Sequence, residues 1–142
     1  MHLDTLPLTL KLAAFLLAIL PLLIDNIHTG NATNRNNLIL LLGGLAMLVL
    51  DRVMGWSDRS LLATGGWIIA GTAILFVVHR MVGIPSGVAK TLMALLPWFT
   101  TANYLVVITA GFLVTALIGF VTRRDAPVVP PLMIAGLVIL SL

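Results

Sequence analysis

LLATGGWIIAGTAILFVVH, residues 61–79, runs for nineteen positions without an aspartate, glutamate, lysine or arginine. Coiled into an α-helix it is about 28 Å long, close to the ~30 Å hydrocarbon core of a bilayer. It lacks the apolar/polar alternation of a membrane barrel strand. Its backbone N–H and C=O groups must therefore pair within the segment, which a helix achieves.

Comparable runs flank it. Residues 5–24, TLPLTLKLAAFLLAILPLLI, form a first span with Lys11 inside, and 38–53, LILLLGGLAMLVLDRV, a second whose far end is marked by Asp51 and Arg52. The stretch 90–121 is too long for one span. PWFTTANY interrupts it, and Pro97, the Thr100–Thr101 pair and Asn103 predict a tight turn there. That gives a short fourth span at about 89–100 and a fifth at about 104–121, with a sixth at 131–142. The expected architecture is all-α, a polytopic membrane helix bundle of about six transmembrane helices in a single domain, 1–142. Small residues inside the spans, Gly43, Gly44, Gly65, Gly66, Gly71, Gly111 and Gly119, permit close helix approach.

Composition agrees. The chain is 60% hydrophobic and 9% charged, with a mean hydropathy of +1.13, whereas a soluble domain carries roughly a quarter charged residues. Its net charge of +3 comes from eight dispersed bases without interleaved aromatics, which excludes a nucleic-acid surface and leaves the lipid bilayer as the partner. Absence of cysteine excludes disulfides, thiolate zinc and cysteine nucleophiles. His2, His28 and His79 are scattered at polar segments, so neither a metal nor another cofactor is expected. The first run has neither a basic leader nor an A-x-A site and reads as a retained span rather than a signal peptide. NAT at 31–33 matches a glycosylation sequon by chance, given its expected cytoplasmic side.

With six spans, the loops 25–37, 80–90 and 122–130 share one side and hold Arg35, Arg80, Lys90, Arg123 and Arg124. Lys11, Arg52 and Arg59 fall on the other. The excess places the first group in the cytoplasm and both termini outside. The acids are five aspartates. Asp4 is terminal; Asp51 and Asp58 each neighbour an arginine and are expected to pair locally. Asp25 opens the polar loop DNIHTGNATNRNN, and Asp125 lies in TRRDAP on the same side, where Arg123 and Arg124 are expected to engage it.

GIPSGVAK, residues 83–90, resembles the GIGAGDVK-type motif of type IV prepilin peptidases, intramembrane aspartyl proteases of the GxGD class. The flanking SLLATGGWIIAGTAILFVVHRMVGIPSGVAKTLMALLPWF resembles the family's Gly-rich span, motif and following helix. IDNIHTGNATNRNNLILL is similar to its first-aspartate segment of the DLRTRRIPNRL type, and APVVPPLMIAGLVIL to its proline-containing ending. The likeness covers roughly residues 20–140 and is to the small Tad-type form without a methyltransferase domain.

The resemblance implies a bacterial inner-membrane protein of the type IV or Tad pilus, or of type II secretion, cleaving prepilin leaders on the cytoplasmic face. It assigns Asp25 to the first catalytic aspartate, and sets Asn34 near the family's Asn, with Thr33 replacing a proline. Gly83, Pro85, Gly87 and Lys90 form the motif loop, with Pro85 where the first glycine of GxGD stands. Val88 takes the place of the second catalytic aspartate. Aspartyl proteolysis needs one carboxylate to activate water and a protonated partner to engage the scissile carbonyl. Valine does neither, so the expected protein is an inactive homologue that binds prepilin leaders or pairs with an active homologue. The rival expectations are an active endopeptidase in which Asp25 works with another acid such as Asp125, and a small transporter or structural membrane subunit.

Overall fold

A computed structural model describes residues 6–142; the expectations for His2 and Asp4 lie outside the described residues. Every element among them is helical: α1 (Leu6–Thr29), α2 (Asn34–Val53), α3 (Leu61–Val82), α4 (Ser86–Leu95) running into a 3₁₀ turn (Leu96–Trp98), α5 (Thr101–Thr122) and α6 (Val129–Ser141). Hydroxyl caps start three of them. Thr33, Ser60 and Thr100 accept from the backbone N–H of Asn36, Ala63 and Asn103, meeting donors that a first turn leaves unpaired. Thr100 therefore begins α5, where the sequence suggested only a turn.

Two helices overrun their expected ends. α1 continues to Thr29, so Asp25 sits in its last turns rather than in a loop, and only residues 30–33 connect it to α2. α3 runs to Val82 and stops at Gly83, whose φ of 76° suits glycine and whose N–H returns to the His79 carbonyl. In both cases the apolar run ends before the helix does, because bonds to the backbone carbonyls hold the continuing turn. Thr29 Oγ1, for example, donates to the Asp25 carbonyl at 2.7 Å.

Helices α1, α2, α3 and α5 are long and apolar enough to cross a membrane. Helices α4 and α6, of 10 and 13 residues, are only about 15 and 20 Å long. The fourth and sixth expected spans are thus short helices accompanying four full-length ones. Outward side chains of α3 and α5 are almost wholly apolar, with Leu62, Ile69, Phe76, Leu113 and Phe120 exposed. A belt of that extent is untenable in water and suits lipid. The chain is a membrane helix bundle.

Side chains of α1, α2, α4, α5 and α6 form one core. Phe15, Leu22, Leu40, Leu95, Leu96, Val107, Leu132 and Met133 are all fully enclosed. α1 packs between α2 and α6, α5 lies on α6, and α4 with its 3₁₀ turn wedges between α2 and α3. Trp98 anchors this wedge, edge-on to Phe15 with ring centroids 5.0 Å apart and donating its indole N–H to the Leu40 carbonyl at 2.8 Å. Close approach requires glycine at position 44, where a Cβ would lie 2.7 Å from Pro97 Cγ and Trp98 Nε1. Trp67 of α3 meets Tyr104 of α5 edge-on at 5.5 Å, and the Tyr104 hydroxyl donates to the Leu92 carbonyl.

Candidate functional site

The end of the bundle at Asp25 collects most of the buried polar side chains. Asp25 projects from the last turns of α1 toward the start of α2. Its Oδ2 accepts from Thr33 Oγ1 at 3.0 Å and from Asn36 Nδ2. The same Asn36 amide donates to the Pro21 carbonyl at 3.2 Å. Thr33 serves twice, since its hydroxyl oxygen also caps α2 through the Asn36 N–H. The carboxylate is thereby tied to the α1–α2 corner.

GIPSGVAK approaches the same corner from the other flank of α2. Pro85 precedes α4, with its fixed φ of −53° and its carbonyl accepting from the Ala89 N–H. His79 Nδ1 donates to the Ile84 carbonyl at 2.5 Å, securing the connection between α3 and α4. Gly87 faces Ala32, which a Cβ at position 87 would meet at 3.6 Å. Lys90 Nζ donates to Asn34 Oδ1 at 2.7 Å. One turn deeper, the buried Thr91 hydroxyl shares its proton between Asn37 Oδ1 at 2.8 Å and the Gly87 carbonyl at 2.9 Å. The first-aspartate segment and the motif loop, 58 residues apart from Asp25 to Gly83, therefore meet across the first turn of α2.

Val88 is half-buried and packs against the apolar core. An alkyl side chain at that position adds packing and no proton-transfer group. Asp25 draws its carboxylate hydrogen bonds from a hydroxyl and an amide; no second acid joins it among the described residues. Asp125 is exposed in the turn 123–126, and the expected pairing with Arg123 or Arg124 does not form. Arg123 instead takes a left-handed backbone that terminates α5.

Asp51 departs most from expectation. It does not pair with Arg52, because adjacent residues on a helix point about 100° apart. It is 8% exposed and bonds Lys11 Nζ across the α1–α2 interface at 2.6 Å, the one ion pair among the described residues. A polar cavity of about 80 Å³ adjoins the pair, lined also by Arg59, Thr100 and Asn103.

Thr33, Asn36, Asn37 and Thr91 are the site residues that the sequence reading left out. For Asn36 and Asn37 the signal was present in NRNN: amides at the head of an apolar helix are costly unless they face inward to partners. Asn36→Ala removes the donor to both Asp25 and Pro21, and is expected to lower stability by roughly 1.5–3 kcal/mol. Asn34→Ala, which loses only the exposed contact to Lys90, should cost under about 1 kcal/mol. Thermal unfolding of both variants in detergent micelles reads the difference.

No group of three or more histidine and acidic side chains is placed to hold a metal ion among the described residues. No protein-family model, curated protein or solved structure matches the chain.

Proposed function

We propose that the chain is a prepilin-peptidase-like subunit of a bacterial inner membrane that receives a prepilin-type leader at the Asp25 corner, on the cytoplasmic side, without cleaving it. The observation that carries this reading is the meeting of the Asp25 segment and the GIPSGVAK loop on one turn of α2, with a single carboxylate there and Val88 at the position the resemblance gives to the second. A lone carboxylate accepts hydrogen bonds from a peptide backbone but supplies no general acid. Loss of one partner of such a pair costs a factor of about 10²–10⁴ in rate. Lys90 and Arg35 at the same end add positive charge beside the corner.

The test combines cleavage and capture of a prepilin-type precursor in membranes containing the chain. The natural chain is expected to cross-link the leader and leave it uncut. Val88→Asp is expected to raise cleavage at least about 100-fold above that background, and Asp25→Asn in the same chain to abolish it. Cleavage by the natural chain that disappears with Asp25→Asn would reveal a working endopeptidase instead, and absence of any cross-link would remove the leader as its ligand.

A further inference from the structure

The wedge between α2 and α3 stops short. Its 3₁₀ turn meets α2 at Gly44 and, through Leu96, α3 at Gly71. α2 continues from Gly44 to Val53, and α3 begins ten residues before Gly71, at Leu61. A groove of about 400 Å³ opens there, with Leu45, Leu48, Val49 and Ile68 among its apolar walls.

Its chemistry is graded. The inner part is aliphatic, while the mouth at the α2–α3 connection carries Arg52, Arg59 and Ser57. Neither guanidinium has a hydrogen bond or ion pair among the described residues. Asp51, which also borders the groove, is already taken by Lys11. Asp58, next to Arg59, is exposed and pairs with neither arginine. Two unpaired arginines at the water-facing end of an aliphatic slot match a negatively charged head on an acyl chain. Arginine's planar fork suits phosphate in particular, and each base near a membrane surface adds to the attraction for anionic lipid.

We infer that this groove holds one anionic phospholipid from the bilayer, its phosphate between Arg52 and Arg59 and an acyl chain along α2 and α3. The site lies at the opposite end of α2 from Asp25, and the inference stands independently of the leader-binding reading.

Native mass spectrometry of the full chain in detergent, titrated with phosphatidylglycerol or with phosphatidylcholine of the same acyl chains, tests it. One phosphatidylglycerol is expected to bind roughly tenfold or more tightly than phosphatidylcholine. Arg52→Gln with Arg59→Gln should bring the two lipids level. Gly65→Phe should remove the one-to-one complex with both, because Gly65 lines the groove and a Cβ there meets open space, so the added side chain competes with the lipid for that volume. Unfolding temperatures of the variants, matched to the natural chain, report that the fold is intact. Equal binding of the two lipids by the natural chain, or a preference for phosphatidylglycerol that survives either set of substitutions, overturns the inference.

Discussion

Lys11→Met is expected to destabilise the protein by on the order of 3 kcal/mol, the scale typical when one member of a buried ion pair is removed. Methionine keeps the length and apolar stem of the lysine while deleting its charge, so the loss isolates the electrostatic contribution. What remains is a carboxylate enclosed between α1 and α2, whose Oδ1 already lacks a hydrogen-bond partner among the described residues. Adding Asp51→Leu should return most of the stability, since two apolar side chains replace the pair without leaving a charge behind. Denaturant-detergent titration of the three variants checks this. Equal stability of Lys11→Met and the natural chain would mean that water in the adjoining cavity, rather than the ammonium, solvates Asp51.

Trp98→Ala is expected to cost about 3–5 kcal/mol, the usual range for deleting a large buried aromatic side chain. The indole fills the space against Gly43 and Gly44, stacks edge-on to Phe15 and bonds the Leu40 carbonyl, so α1 and α2 both lose contact with the 3₁₀ turn at once. Trp98→Phe separates the contributions. It keeps a ring against Phe15 and loses the hydrogen bond, for an expected cost nearer 1 kcal/mol plus a small packing defect. Thermal unfolding followed by tyrosine and tryptophan emission resolves the two. Similar losses for both variants would transfer the anchoring role from the ring to its N–H.

Much of the fold was legible in the chain because the membrane imposes one rule: apolar length without alternation must become helix. Residues 61–79 and 38–53 illustrate it, each lying inside a helix that the structure contains. Helix ends were less legible. At Asp25–Thr29 hydropathy falls while the backbone stays helical, so composition marks where water begins rather than where the helix stops. Asp51 shows a second limit. Its partner is 40 residues away in sequence, at Lys11, and only the antiparallel packing of α1 on α2 brings them together. Chain neighbours such as Arg52 are poor candidates for pairing on a helix for the same geometric reason. At the candidate site, Asp25, Gly87, Asn34 and Lys90 were each picked out from the sequence and converge on the α1–α2 corner and the head of α2. The amides and hydroxyls that hold them were not, because Asn and Thr in a polar stretch look solvated until the opposing helix is in place.

Short α4 carries a consequence for the surrounding lipid. At 10 residues it reaches about 15 Å, half of a ~30 Å hydrocarbon slab, and the chain continues only as the 3₁₀ turn and the extended Phe99. Backbone groups left unpaired by such a break are tolerable in oil only where protein encloses them. Burial of Leu96, Pro97, Trp98 and Phe99 keeps acyl chains away from that stretch, so these four residues act as a seal whose loosening would admit lipid to the interior of the bundle.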